Sequence, residues 1–96
     1  MTVSLTEMKA HLRVLSNDED ALITSLIAQA EEAASDYCRV EWGNETNVPE
    51  PVRLAIMLMV SHFFECRDSS DRSAYITMKE AFQMLLYPHR KPESLF

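Results

Sequence analysis

Val48-Pro49-Glu50-Pro51-Val52-Arg53-Leu54-Ala55-Ile56-Met57-Leu58-Met59-Val60-Ser61-His62-Phe63-Phe64-Glu65-Cys66-Arg67 contains the long apolar run of this chain, Leu54 to Phe64. Two prolines open the segment. Proline lacks a backbone N–H and holds φ near a helical value, so Pro49 and Pro51 suit the first turn of a helix, where that donor has no intrahelical partner. Nothing breaks the helix before about Arg67, which gives an element about 25 Å long. No face of the run is polar. A helix apolar all round has to be surrounded by protein, because water would otherwise meet apolar surface on some side. A short chain has few other helices to supply that cover, so the deficit points to partner chains. The run falls well short of the roughly 20 residues that span a bilayer, so it reads as a buried helix and not as a membrane segment.

The segment before it is amphipathic. Leu22, Leu26, Ala30, Ala33 and Tyr37 mark one helical stripe, and Ile23, Ile27, Ala30, Ala34 and Cys38 the adjoining one. Glu31, Glu32, Ser35 and Asp36 fall mostly on the other side. The pattern predicts a helix of about 20 residues beginning near Asp18. Asp18, Glu19 and Asp20 would set negative charge against the positive end of its dipole. Further upstream, Ser4 and Glu7 have the spacing of a capping box, with Thr6 a rival N-cap. They predict a short helix to about Leu12 that puts Leu5, Met8 and Leu12 on one face.

A loop from about Val40 to Val48 holds the sole tryptophan, Trp42, and the sole glycine, Gly43. After the apolar run, Asp68-Ser69-Ser70-Asp71 reads as a polar loop. A last helix is predicted from about Arg72 to Leu86, with Ala74, Tyr75, Met78, Phe82, Leu85 and Leu86 as its apolar set. Pro88 ends it. From about Tyr87 the chain is expected to form a mobile tail that gains order on a partner. The fold class is therefore all-α: one domain over residues 1–96, a small bundle of about four helices with a long central buried helix.

With 96 residues the chain suits one compact domain. A hydrophobic fraction of 47% excludes a disordered chain. Fifteen acidic against nine basic residues give a net charge of −6. That balance argues against a protein that grips nucleic acid by its phosphates. It does not exclude a protein that DNA passes without adhering, where repulsion would be useful. The N-terminus has no basic region followed by an apolar stretch, so no signal peptide is read there. Cys38 and Cys66 are too few for a disulfide scaffold, and a reducing, cytoplasmic site of synthesis is expected.

Taken in order, several segments resemble the head–tail connector (adaptor, or head-completion) family of tailed bacteriophages and prophages. They are Leu5-Thr6-Glu7-Met8-Lys9-Ala10-His11-Leu12-Arg13-Val14, the acidic Asp18-Glu19-Asp20-Ala21-Leu22-Ile23, the helix ending at Tyr37-Cys38, Val48-Pro49-Glu50-Pro51-Val52-Arg53-Leu54-Ala55-Ile56, the His62-Phe63-Phe64-Glu65-Cys66-Arg67 ending of the run, and Ala81-Phe82-Gln83-Met84-Leu85-Leu86-Tyr87-Pro88-His89-Arg90. The resemblance covers roughly residues 3 to 90. Two features depart from it. Cys66 stands where members commonly have asparagine, and the glycines that members often carry late in the second helix and before the last one are missing. The resemblance implies a structural virion protein of the head–tail junction, made in the cytoplasm of the bacterial host. Such proteins form a ring of about twelve copies beneath the portal of a filled head. The ring extends the DNA channel and offers a platform to the next neck or tail-completion protein. The partners implied are further copies, the portal and that protein, with DNA passing unbound and no membrane involved. No cofactor and no catalytic residue is implied.

Some residues invite chemical readings of their own. His62 and Cys66 are spaced i, i+4, so they could share a metal, with Cys38 and His11 completing a tetrahedron. The competing reading makes both cysteines small buried hydrophobes and His62 a histidine satisfied beside the core, and no metal site is assigned. Glu31, Glu32 and Asp36 read as a solvated helix face, or as an acidic surface that lines the channel once a ring exists. Trp42 is either a flap over the end of the bundle or an exposed anchor for a partner. Tyr87, His89, Arg90, Lys91, Leu95 and Phe96 mix basic and apolar groups after the last helix. They are candidate contacts for a partner or for a ring neighbour. The chain carries no nucleophile motif and no glycine-rich phosphate loop, so it is not read as an enzyme. The competing function is a small helical binding or regulatory module of phage origin, such as a helix-turn-helix protein. The third helix is too apolar to serve as its recognition helix.

Overall fold

The computed structural model describes residues 2–65 and 72–91, which fold into four α-helices and two short 3₁₀ turns, with no strand among them. The helices are α1 (Leu5–Leu12), α2 (Asp20–Cys38), α3 (Glu50–Glu65) and α4 (Arg72–Leu86). The 3₁₀ turns are Trp42–Asn44 and Tyr87–His89. The bundle is all-α, as the sequence indicates. Residues 66–71, which include Cys66 and the expected polar loop, lie outside the described residues, as does the tail beyond Lys91.

α1 begins at Ser4, whose hydroxyl accepts the Glu7 N–H at 3.1 Å while the Glu7 carboxylate accepts the Ser4 N–H at 3.2 Å. This is the capping box, and Thr6 has no part in it. α1 ends at Arg13 in the left-handed region, φ 61°. The Arg13 N–H reaches the Ala10 carbonyl at 3.2 Å and the Val14 N–H reaches that of Lys9 at 3.0 Å. That pair of bonds is a Schellman motif. α2 ends the same way, with Arg39 at φ 59° and the Val40 N–H on the Ser35 carbonyl at 3.2 Å. In both places an arginine adopts a conformation that suits glycine, and the valine after it turns back to pack against the core.

α2 starts two residues later than the acidic run suggests. Of Asp18, Glu19 and Asp20, Asp20 alone lies within its first turn, and the Glu19 side chain at the N-cap does not cap the helix. Of the two stripes, Ile23, Ile27, Ala30, Ala34 and Cys38 form the buried one. Leu22, Leu26, Ala33 and Tyr37 flank it, half-buried. The alanines let α2 come close to α3, where Val52, Ala55, Ile56 and Val60 are fully buried. α3 is the central helix, packed against both α2 and α4. Met78, Phe82 and Leu86 complete the core from α4. Burying each large aliphatic side chain contributes roughly 1.5–3 kcal/mol.

The order of the helices follows from their ends. His62 and Phe63, late in α3, meet Tyr75, early in α4. The Cys38 thiol at the end of α2 donates to the carbonyl of Leu86 at the end of α4, 3.6 Å away. α2 and α4 therefore run alongside one another, with α3 antiparallel to α4. α1 packs on α2 and α3. The body measures 49 × 32 × 17 Å, a thin slab. Such a shape encloses α3 only in part. Leu54 is 45% exposed, and Met57, Leu58 and Met59 are half-buried. The run is thus uniformly apolar in sequence but uncovered on its outer side.

Candidate functional site

The N-terminal segment is bound down by charge. Glu31 on α2 accepts from the Thr2 N–H at 2.7 Å and from the Thr2 hydroxyl at 3.0 Å. Arg53 on α3 donates through Nε to the Thr2 carbonyl at 3.2 Å and through Nη1 to Glu50 at 3.0 Å, and its Nη2 pairs with Glu7. Thr2 thereby joins α1, α2 and α3, and the neighbouring Val3 is fully buried. Of the three acidic residues expected on one face, Glu31 is thus engaged, while Glu32 and Asp36 are exposed. All three border one depression of about 520 Å³, to which Gly43 and Asn44 contribute from the 3₁₀ turn and Glu41 from just before it. A Cβ at Gly43 would stand 2.7 Å from Glu31 Oε1, so a larger residue there would make the end of the Glu31 side chain shift.

Trp42 is 6% exposed. Its backbone N–H donates to the Ser35 hydroxyl at 3.2 Å and to the Val40 carbonyl at 3.0 Å. The turn folds the indole over the end of the bundle. Of the two readings of Trp42, this burial fits the flap over the end of the bundle, with the ring turned inward from the 3₁₀ turn. Under it lies the buried Cys38 thiol. Burial pushes its pKa up, against smaller opposing effects of the Trp42 indole and the Arg90 guanidinium. The indole N–H, although near the thiol, stops short of hydrogen-bond geometry.

The segment expected to begin a mobile tail runs across this same end. The Lys91 N–H donates to the Cys38 carbonyl at 2.9 Å. Arg90 Nε donates to the Tyr37 carbonyl at 2.9 Å, and its guanidinium lies 4.9 Å from the centre of the Tyr37 ring. Arg39 Nη1 reaches the Lys91 carbonyl at 3.5 Å. Two carbonyls left open by α2 are therefore met by the chain that follows α4, with cations at the negative end of the helix dipole. Residues 87–91 are held at this point. Arg90 and Lys91 remain exposed, His89 is half-buried, and Tyr87 is 67% exposed. Leu95 and Phe96 lie outside the described residues.

His62 packs against Phe63, ring centres 5.3 Å apart, and Tyr75 at 6.0 Å. Cys38 sits by Leu86 at the far end of α4, about 16 Å of helix from Tyr75. The structure therefore does not bring His62 and Cys38 together, and His11 is exposed on α1. Among the described residues, no group of three or more metal-ligating side chains is assembled. No helix among them is long and apolar enough to cross a membrane.

Three features were not read from the sequence. One is the Thr2–Glu31–Arg53 junction. Another is a groove of about 530 Å³ between α3 and α4. The third is Leu15, 98% exposed in the turn between α1 and α2. Only the last had a sequence signal, an isolated leucine beside Ser16-Asn17-Asp18.

What this body offers is surface: an acidic depression, a basic end, and an apolar flank on α3 and α4, where Met84 is 75% exposed. Searches of curated proteins and of solved structures return no significant match. The family model of the phage gp6-like head–tail connector protein matches residues 2–90. This chain belongs to that family, and it is a phage structural protein of the head–tail junction.

Proposed function

We propose that this protein forms a homo-oligomeric ring that joins the portal of the capsid to the tail or neck and extends the DNA channel. Family membership over residues 2–90 carries the reading. The outer sides of α3 and α4 support it, since they leave Leu54, Ile76 and Met84 uncovered on a single chain. A neighbouring copy would cover such a flank. Glu32, Asp36 and Glu41 supply negative surface beside the channel, where like charge keeps passing DNA from adhering. At the other surface of the ring, Tyr87, His89, Arg90 and Lys91 offer contacts to the portal or to the next neck component.

Native mass spectrometry at several protein concentrations, alone and with the portal protein, tests this reading. The expected product is a ring of about twelve copies. A ring that appears only with the portal present would mean that the portal templates assembly. A chain that stays monomeric in both settings and does not bind the portal overturns the proposal.

A further inference from the structure

We infer that the turn between α1 and α2 is a plug, and that the α3/α4 groove is its socket on the neighbouring copy, so that copies join head to tail. The inference rests on the ring reading above and says which surfaces make the joint.

Leu15 is 98% exposed, and the turn that carries it is held firmly. The Schellman bonds fix its start. Lys9 Nζ donates to Asn17 Oδ1 at 2.7 Å and lies 2.8 Å from Asp20 Oδ1. Val14 faces the core while Leu15, the next residue, faces water. A leucine on a loose loop can fold back onto its own chain. Held on a fixed turn, its side chain stays in solvent on a backbone already ordered for a partner.

The groove is the complementary shape. Leu58 and Ser61 on α3, with Ala74, Thr77, Met78 and Ala81 on α4, border about 530 Å³ of mainly apolar surface. Small residues on α4 keep it open. The Ser61 hydroxyl is buried there without a hydrogen-bond partner among the described residues.

Charge agrees with the pairing. The turn carries Arg13 before Leu15 and Asp18 after it, both exposed. The groove has Glu65 on its α3 wall, and the exposed Arg72 stands at the start of its α4 wall. Position agrees as well. The turn leads into the start of α2, which lies at the end of the bundle where α3 finishes and α4 begins. Plug and socket thus share one height along the helices, as side-by-side copies around an axis parallel to them require. Two grooves set face to face would leave a void between concave surfaces, so a two-fold joint fits less well. A convex turn in a concave groove is a heterologous contact, the kind that closes rings.

The test uses the full chain at a concentration where the unaltered protein assembles. Leu15→Asp disables the plug, and Thr77→Arg, at an exposed position, fills the socket. Circular dichroism checks that each variant folds. Native mass spectrometry is expected to show loss of the ring in each variant alone. An equimolar mixture should give 1:1 heterodimers, because it retains one intact plug and one intact socket and can extend no further. Arg13→Glu should weaken assembly, and combining it with Glu65→Arg should restore it. Rings that persist in both single variants overturn this joint and leave the ring reading standing. Variants that lose the ring but form no heterodimer on mixing overturn the head-to-tail arrangement. An unaltered chain that never assembles, alone or with the portal, overturns the ring reading itself.

Discussion

The Cys38 thiol lies fully buried at the end of α2, capped by Trp42 and by the chain that crosses from α4. Its pKa is raised by that burial, so the folded state holds the proton above the pH at which an unfolded thiol, near 8.5, releases it. Above that pH the unfolded state binds fewer protons than the folded one, and stability must fall as pH rises. Urea unfolding is expected to show this alkaline loss, and Cys38→Ala should flatten it while lowering stability at neutral pH. In a Cys66→Ser background, a thiol reagent should label Cys38 only as fast as the bundle opens. Rapid labelling of folded protein would mean that the cap of Trp42 and residues 87–91 is open. Trp42 gives a second prediction. As a plug 6% exposed, its replacement by alanine should cost about 3–5 kcal/mol of stability, read as a fall in the urea midpoint. An anchor for a partner would instead lose binding with stability unchanged.

Each of the first two helices ends on an arginine in the left-handed region, Arg13 at φ 61° and Arg39 at φ 59°. An L side chain there costs roughly 1 kcal/mol or more, which glycine avoids, though glycine also loses more entropy on folding. Arg39 has a bond to the Lys91 carbonyl to lose, so Arg13 is the cleaner test, made on the unassembled chain. Arg13→Gly is expected to stabilise the fold by about 0.5–1 kcal/mol, raising Tm by a few degrees in a calorimetric scan. These ends also show what the sequence makes legible. The start of α1 was readable because Ser4 and Glu7 satisfy each other within four residues. The bounds of α4 were readable because its apolar set is periodic and Pro88 follows. The start of α2 was misplaced by two residues because acidic side chains favour a helix N-terminus whether they stand in it or before it. The stop at Arg39 gave no glycine to read. Its signal, an arginine followed by an inward valine, depends on the core that the valine meets.

At the scale of the whole molecule, the all-α bundle was legible because hydrophobic period and breakers act locally. The surface was not, because it depends on which helices become neighbours. Sequence treated the outer side of Leu54–Met59 like the inner one, and only the thin slab separates them. In the same way, Glu31, Glu32 and Asp36 read alike, yet Glu31 alone is spent on Thr2. Charge is the property that composition does fix, and it yields a further prediction. A net charge of −6 repels the phosphate backbone at every orientation except where cations gather, and Arg39, Arg90 and Lys91 form such a place at the end of α2. Arg39 and Arg90 keep their charge while hydrogen-bonded to backbone carbonyls there, but so small a group of cations can neutralise only a few phosphates and release few counterions. On a DNA column the chain is therefore expected to pass unretained at about 0.15 M salt, where screening confines such an end to about 8 Å. Slight retardation at about 0.01 M salt is consistent with that basic end. Retention that survives physiological salt and declines with the slope of several released ions would instead identify a DNA-gripping surface. A channel wall could not then work as proposed, since each contact would hold back the DNA that has to slide past it.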